Sequence, residues 1–423
     1  MNHRRVHESA LVALVLSAAA AAVFAREQPI QKPSSTTLAS LPLVQPTSLV
    51  YQGSFRLPLQ ASGENGFAYG GTALAFNPLR GSLYIVGHDW RQQVAEISVP
   101  EIRKGAALGG LDTAELLQPL TDATEGKLRT VNPADKNAKK IGGLLPYHNK
   151  LYISGFSYYD GGETQVLSHF VSGLDLSVKG DVSGPFRVGK LKSGFVSGYM
   201  ALIPAAWQAA LGGPAFTGQC CIAIVGRTSS GPALFSLDPE DIGVKDPVPA
   251  TPLVYYPIEA PLTPWNGTNV YYNGSTQIHG VVLPEGTRSV LFFGRHGLGT
   301  FCYGAGTSQE NLRGTKMPNG VNYCYNPEDQ SKGTHAYPYA YYVWGYDALD
   351  LAAVKGGHKR PWQIKPYAVW KLELPYPART TRLNGAAYDA ATGRIFLVQG
   401  YADGDKPVIH VFTVNVRRTE GAQ

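Results

Sequence analysis

The chain has 423 residues and a formal net charge of +6, and charged residues make up only 16 % of it. Part of the positive charge lies near the N-terminus and no dense basic cluster follows, so the sequence argues against binding to nucleic acid or to membranes. With 48 glycines, 30 prolines and 24 tyrosines, the composition favours strands and tight turns, and helical patterning is scarce.

Residues 1–25 have the pattern of a secretory signal peptide. Arg4 and Arg5 provide a positive start, residues 10–24 are apolar, and the stretch ends in a small-residue cleavage site. No later stretch approaches the roughly 20 apolar residues of a membrane-spanning helix. We therefore expect an exported protein, secreted or periplasmic after cleavage of this peptide. The Ser-, Thr- and Pro-rich residues 26–47 predict a flexible leader.

An apolar run that ends at a glycine recurs along the rest of the chain. The five runs are SLYIVG to Gly87, KLYISG to Gly155, CIAIVG to Gly226, SVLFFG to Gly294 and RIFLVQG to Gly400. These glycines are 68, 71, 68 and 106 residues apart. The last spacing falls to about 71 if a Cys- and Gly-rich insert of about 35 residues after Phe301 is set aside. A fixed period of this kind is typical of stacked supersecondary units.

Each run is preceded by a strand of small residues and followed by alternating strands. We predict strands at residues 48–58, 70–78, 82–87, 93–99, 141–149, 150–155, 165–171, 184–189, 198–204, 220–226, 232–237, 251–257, 278–284, 289–294, 341–347, 367–375, 384–393, 394–400 and 408–416. All but the first belong to five units, of which the first and the last have three strands each.

The leftover strand at residues 48–58 resembles the fourth strand of a unit. On a plan of five four-stranded units, its pairing with the last unit would complete that unit and remove the open edge of a linear stack. The repeat therefore resembles the β-propeller architecture, which uses this closure. The resemblance implies an all-β, five-bladed β-propeller over residues 48–417, with an insert at about 301–337 and a tail at 418–423. Glycines near the start of each first strand fit it, because the innermost strands crowd around the axis.

In an antiparallel blade the first strand begins, and the second strand ends, at the same rim. Side chains at these positions should converge on one opening of the propeller axis, which we call the mouth. The candidates for ligand binding there are His88, Asp89, Trp90, Tyr158, Tyr199, Arg227, Asn384 and Tyr401, and the candidates for catalysis are Tyr69, His279, Arg295 and His296. The insert leaves from the same rim, so we expect it to wall or cover the mouth.

Aromatic and cationic side chains around a concave mouth suit a glycan, because rings stack on sugar faces and guanidinium groups pair with carboxylates. A polysaccharide lyase acting on an acidic glycan needs a base beside the uronic carboxylate and a cation for the enolate. On this hypothesis the base is His279 or His296, the carboxylate is held by Arg295 and Arg227, and the proton donor is Tyr69 or Tyr199.

Two alternatives to a lyase stay open. A glycoside hydrolase needs two carboxylates that flank the scissile bond. The starts of the inner strands carry no Asp or Glu, and the acids of this rim, such as Asp89 and Asp403, lie at second-strand ends or beyond. A non-catalytic propeller would instead bind a glycan or a protein through the same rim, and the fold alone does not separate these functions.

The four cysteines of an exported chain can all be oxidised. Cys302 and Cys324 bracket the insert, so a disulfide between them is our first expectation. Cys220 and Cys221 are adjacent on a predicted strand and are interpreted as buried thiols, although the sequence alone does not rank the three pairings. No pair has zinc-site spacing, and no loop has the oxygen-ligand spacing of a calcium site. The sequence predicts no metal, specifies no cofactor and favours a monomer.

Overall fold

The computed structural model of the protein describes Met1 and residues 35–58, 66–105, 107–219 and 224–416. The rest of the predicted signal peptide, the first part of the leader, the tail, and both Cys220 and Cys221 lie outside the described residues. The helices of the described part are α1 (Ser35–Ala39), α2 (Ala205–Leu211) and α3 (Ala348–Lys355). None of them is long and apolar enough to cross a membrane.

The described residues form five four-stranded antiparallel sheets and one three-stranded sheet. The strands are β1 (Leu49–Arg56), β2 (Leu74–Asn77), β3 (Ser82–Val86), β4 (Val94–Ile97), β5 (Leu116–Thr121), β6 (Lys139–Tyr147), β7 (Lys150–Ser157), β8 (His169–Gly173), β9 (Ser183–Phe186), β10 (Met200–Leu202), β11 (Ala215–Gly218), β12 (Leu234–Leu237), β13 (Thr251–Val254), β14 (Gln277–Val282), β15 (Ser289–Gly297), β16 (Cys302–Thr307), β17 (Tyr323–Tyr325), β18 (Lys332–His335), β19 (Tyr339–Asp347), β20 (Ala368–Lys371), β21 (Leu383–Asp389), β22 (Arg394–Asp403) and β23 (Lys406–Val414). We call the four-stranded sheets blades 1 to 5, in the order β2–β5, β6–β9, β10–β13, then β14, β15, β19 and β20, and last β21–β23 with β1.

Blade 5 joins the two ends of the propeller. β1 pairs antiparallel with β23, with Val50 opposite Thr413 and Phe55 opposite Ile409. Phe55 and Ile409 belong to one buried hydrophobic cluster with Phe396 of β22. The predicted closure by the N-terminal strand is confirmed.

The first strands of the five blades surround one axis. β2 contacts β6, β6 contacts β10, β10 contacts β14, β14 contacts β21, and β21 contacts β2. A central cavity is lined from all five strands by apolar residues that include Leu74, Leu144, Met200, Val282 and Ala386. The five-bladed β-propeller predicted from the repeat is therefore confirmed.

Glycines lie where neighbouring inner strands approach most closely. A Cβ atom added to Gly280 would lie 2.3 Å from the Cβ of Ala386, and one added to Gly142 would lie 2.2 Å from the carbonyl oxygen of Ser197. Neither distance leaves room for a side chain, which confirms the reason given for small residues near the axis. The second strands are covered on both faces, and every residue of β3 and of β15 is buried.

Blades 1 and 3 differ from the prediction. We predicted the second strand of blade 3 at residues 220–226, of which 220–223 lie outside the described residues, but the strand that pairs with β10 and β12 is β11. β11 has the sequence AFTG, which lacks an apolar run, so the nearby CIAIVG was wrongly taken as the third run of the repeat. Blade 1 has a fourth strand, β5, that the pattern did not indicate. Pro119 interrupts β5, and an outer strand tolerates a proline because one of its edges is unpaired.

The described end of the predicted leader contacts blade 4. Val44 is completely buried and donates its backbone N–H to Ser289 Oγ at 2.7 Å. Leu38 is buried in the same cluster as Trp207. Burial of these two apolar side chains differs from the flexible leader expected for residues 26–47.

Candidate functional site

A β-bulge marks the start of three inner strands. The register shifts between Ile141 and Gly143 in β6, between Ile278 and Gly280 in β14, and between Leu383 and Gly385 in β21. The extra residues are Gly142, His279 and Asn384. Because a bulge redirects the side chain of the extra residue, these positions form a structurally equivalent set at the mouth.

His279 occupies the bulge of blade 4. Its ring is partly buried, and Nδ1 has no hydrogen-bond partner among the described residues. Burial, with a smaller contribution from the positive charges of Arg382 and Arg295, lowers the pKa of His279 to about 3. The imidazole is therefore neutral at ordinary pH and close to two guanidinium groups.

Arg295 lies on β15, opposite Gln277 of β14. The side chain is buried, and its guanidinium carbon lies 4.3 Å from the ring centroid of Tyr339. Nη1 donates to the carbonyl oxygen of Thr381 at 3.3 Å, whereas Nε has no partner among the described residues. Burial lowers the pKa of Arg295.

Arg382 reaches the mouth from the residue before β21. Its Nη2 lies 3.7 Å from Oδ2 of Asp329, and its guanidinium carbon lies 5.7 Å from the ring centroid of Tyr401. Nε is buried and, like that of Arg295, unpartnered in the described part of the chain. Two arginines from adjacent blades therefore each present an unused N–H group.

The insert forms the three-stranded sheet, in which β16 pairs with β17 and β18. A disulfide joins Cys302 and Cys324, as the sequence predicted. Glu328 accepts hydrogen bonds from the backbone N–H of Thr381 at 2.7 Å and from its Oγ1 at 3.0 Å. This contact holds the insert against blade 5, beside Arg382.

The insert also supplies Asp329, which sequence reasoning missed. Burial alone would raise the pKa of Asp329, but hydrogen bonds from Ser331 and the positive charges of Arg382 and Arg295 bring it below the ordinary value. Asp329 is thus held as a carboxylate. The two adjacent acids in NPEDQ resemble an ordinary turn, and only their place in a segment expected to cover the mouth could have identified them.

Blades 1 and 2 supply the other side of the site. Lys140 forms an ion pair with Asp89, and its Nζ lies 4.9 Å from the ring centroid of Tyr158 and 5.6 Å from that of Trp90. Trp90 is 72 % exposed. Loss of solvent raises the pKa of Tyr158, and its hydroxyl also experiences the charges of Arg382, Asp89, Asp329 and Arg295. Lys140 thus holds Asp89 beside two aromatic rings of the mouth.

An aromatic group lines the mouth between blades 5 and 1. The ring centroid of Tyr69 lies 5.4 Å from that of His88 and 5.8 Å from that of Tyr401. Tyr69 donates its hydroxyl to Asp405 Oδ2 at 3.2 Å. Tyr69 and Tyr401 have φ angles of 58° and 59°, in the left-handed region that few non-glycine residues adopt. Strain of this kind is often found at functional sites.

Two candidates use their polar atoms within the fold. His296 accepts a hydrogen bond from Thr276 Oγ1 at 2.8 Å through Nδ1, and its Nε2 donates to the carbonyl oxygen of Asn269 at 2.6 Å. The buried Tyr199 donates its hydroxyl to the carbonyl oxygen of Ala233 at 2.6 Å. The polar atoms of His296 and Tyr199 therefore stabilise the fold and do not face a ligand with a free donor or acceptor.

Two further candidates connect neighbouring blades. Arg227 Nη1 donates to the carbonyl oxygens of Ser157 and Tyr158 at 3.0 and 3.1 Å. Asn384 donates to the carbonyl oxygen of Gly70 at 2.9 Å. Arg227 and Asn384 therefore help to fix the rim that carries the site. The described residues contain no group of three or more His, Cys, Asp or Glu side chains placed to hold a metal ion.

No family model and no curated protein matches the chain. Among solved structures, it is similar to an exo-1,5-α-L-arabinanase from a bovine ruminal metagenomic library, with 9 % identity over 85 % of this chain and 100 % of that chain and a TM-score of 0.42. It is also similar to a GH43 endo-arabinanase from Bacillus licheniformis, with 10 % identity over 85 % and 98 % of the two chains and a TM-score of 0.41. A luciferin-regenerating enzyme matches with 8 % identity over 83 % and 93 % and a TM-score of 0.32. Because these TM-scores are all below 0.5, the fold assignment depends on the sheet topology, and the function must be argued from the mouth.

Proposed function

We propose that the protein is a carbohydrate-active β-propeller that hydrolyses a glycosidic bond at the mouth. One arrangement carries the proposal: two carboxylates lie at the mouth, Asp89 of blade 1 in its ion pair with Lys140 beside Tyr158, and Asp329 of the insert beside Arg382. Glycoside hydrolysis requires two carboxylates around one bond. Asp329, held ionised, takes the part of the nucleophile or base, and Asp89 is the second carboxylate.

The surrounding side chains suit a sugar substrate. Tyr158, Trp90, Tyr69 and Tyr401 offer aromatic surfaces at the mouth, and such rings stack on the apolar faces of sugars. The main objection to hydrolysis from the sequence was that inner strands carry no acids. The insert removes that objection, because it brings Asp329 to within 3.7 Å of Arg382.

The same geometry weakens the lyase hypothesis. A base that takes a carbon-bound proton needs a pKa near the working pH, whereas the pKa of His279 is lowered to about 3 by burial and by Arg382 and Arg295. The alternative base, His296, has both ring nitrogens engaged, and the Tyr199 hydroxyl is bonded in the core. Hydrolysis therefore takes the place of elimination in our proposal.

The test is an activity screen with the full chain on neutral and acidic polysaccharides, reading reducing ends and ultraviolet absorbance together. We expect reducing ends without unsaturated product. Asp329→Asn and Asp89→Asn should each lower the rate by at least about 100-fold, while Asp350→Asn should not. Asp350 is a matched control because it lies in α3, outside the mouth, and also forms an ion pair, in its case with Lys359. Unsaturated product, or full activity in Asp329→Asn, would refute the proposal.

A non-catalytic binder is the second candidate, and the exposed Trp90 favours it. Trp90 lies beside Lys140 and Tyr158 at the rim, where a glycan chain could stack without being cleaved. Glycan binding that Trp90→Ala abolishes, with no cleavage of any bound glycan, would establish this candidate in place of hydrolysis.

A further inference from the structure

Blades 4 and 5 bring three buried nitrogen atoms to the mouth that have no hydrogen-bond partner among the described residues. They are Nε of Arg295, Nε of Arg382 and Nδ1 of His279. They come from β15, from the residue before β21, and from the bulge of β14. Buried polar groups are nearly always paired with protein, water or ligand, so three such atoms in one place indicate a position where a bound group accepts hydrogen bonds.

Two positively charged side chains lie close to His279. The charges that act on His279 are those of Arg382 and Arg295, and both disfavour its protonation. The nearby acids are partly used elsewhere, since Glu328 accepts two hydrogen bonds from Thr381 and Asp329 accepts the backbone N–H of Ser331 at 2.9 Å. A negative group beside His279 is therefore attracted, while a neutral hydroxyl gains much less.

The arginine geometry selects the kind of anion. Arg295 is fixed by the Tyr339 ring and by Thr381, and Arg382 by the Tyr401 ring and by Asp329. Planar guanidinium groups held in this way match the two oxygens of a carboxylate. The neutral His279 can donate a third hydrogen bond through Nδ1 when its proton resides there.

We infer that the substrate carries a carboxylate which binds between Arg295, Arg382 and His279. This rests on the proposed function and deepens it: the glycan is an acidic one, built from uronic acids or similar sugars. The carboxylate-binding group lies beside Asp329, so an acidic sugar anchored there is placed next to the proposed catalytic carboxylate.

The experiment measures binding of oligouronides by calorimetry and compares each with its methyl ester, which has nearly the same shape but no charge. We expect the acid form to bind at least about tenfold more tightly, with the preference decreasing as salt is added. The third ligand is an oligosaccharide of otherwise neutral sugars that carries sulfate groups. Tighter binding of this ligand than of the oligouronide would refute the carboxylate assignment.

The diagnostic variant is Arg382→Gln, because Arg382 is only partly buried and its loss should leave the fold intact, as thermal unfolding will verify. It should abolish the preference for the acid form, because it should weaken binding of the acid much more than binding of the ester. Arg313→Gln is the matched control. Like Arg382, Arg313 pairs with an acid, with Nη2 3.1 Å from Oε1 of Glu310, and its guanidinium carbon lies 5.0 Å from the ring centroid of Tyr325, but it is exposed on the insert. His279→Gln, which keeps an amide donor, should retain more of the preference than His279→Ala.

The outcomes separate this inference from the proposed function. Hydrolysis of neutral glycans, with no preference for acid over ester, would overturn the carboxylate assignment and leave hydrolysis standing. Tight, Arg382-dependent binding of oligouronides without cleavage would support the assignment and overturn hydrolysis. An equal loss of acid and ester binding in Arg382→Gln would show a merely structural arginine and refute the inference.

Discussion

Acid should destabilise this propeller well above the pH at which its carboxylates titrate. His169 and His410 are completely buried, and burial lowers the pKa of each to about 3. In the unfolded chain a histidine has a pKa of about 6.5. As the pH falls below that value, the unfolded chain binds protons that the folded chain does not, so folding stability decreases.

The size of the effect follows from these two pKa values. At pH 5 each histidine lowers the free energy of unfolding by about 2 kcal/mol, and the two together by about 4 kcal/mol. This is a large part of the roughly 5–15 kcal/mol that stabilises a typical domain. The pKa values of His279, His296 and His335 are also lowered, chiefly by burial, so the measured loss should be at least this large. Carboxylates with lowered pKa values, such as Asp135, lose their contribution only below about pH 4.

Both histidines lie where acid would affect the ring as a whole. His169 contacts Ser168 and, across the interface between blades, Thr217 of blade 3. His410 lies in the closing blade and bonds to Ser54 of β1 at 3.0 Å and to Gln399 of β22 at 2.7 Å. Protonation therefore opposes both the packing of blades against each other and the closure of the propeller.

The assay is urea unfolding followed by tryptophan fluorescence at several pH values between 7.5 and 5. His410→Gln removes one titrating group and should reduce the loss between these limits by about 2 kcal/mol. His148→Gln is the control, because His148 is exposed and paired with Glu240. A free energy of unfolding that is constant within about 1 kcal/mol from pH 7.5 to pH 5 would refute the reasoning. So would a His410→Gln variant whose free energy of unfolding depends on pH as steeply as that of the unchanged protein.

Two further changes test the insert and the axis. The double variant Cys302→Ser, Cys324→Ser removes a disulfide with a sequence separation of 22. We expect it to lower the stability of the folded insert by about 3 kcal/mol, which should appear as faster proteolysis within the insert. Cleavage confined to the blades would contradict this. Gly280→Ala places a Cβ 2.3 Å from that of Ala386 and should lower stability by about 1–3 kcal/mol in urea unfolding, whereas Gly333→Ala, with open space around it, should not. Equal losses in the two variants would show that contact at the axis is not the cause.

The ring could be predicted from the sequence because its requirements are local and repeated. Apolar runs such as SVLFFG reflect strands covered on both faces, and β15 is indeed buried throughout. The leftover strand at residues 48–58 had one remaining partner, and β1 pairs with β23. The same reasoning failed in blade 3, where the repeat depended on apolar runs and the true strand, AFTG, is held mainly by its two neighbours.

The site could be predicted only in part, because position along a strand does not fix what a side chain contacts. His296 follows Arg295 directly, yet it points to Thr276 and Asn269 while Arg295 contacts Tyr339 and Thr381. Alternation along a strand sends successive side chains to opposite faces. The repeat pattern could not indicate Asp329, because this residue reaches the mouth through a folded insert and not through a strand of the repeat.

The bulges explain why the mouth is where this fold can carry chemistry. Most positions of an inner strand are restricted, since neighbours as close as Gly280 and Ala386 leave no room for larger side chains. The extra residue of a bulge can escape that constraint, because the ladder continues on either side of it. Blade 4 has His279 there and blade 5 has Asn384, whereas Gly142 of blade 2 lies against the carbonyl oxygen of Ser197 and has no room for a side chain. The scaffold therefore determines where functional side chains can stand and leaves their identity free, so the repeat pattern locates the mouth but does not reveal the substrate.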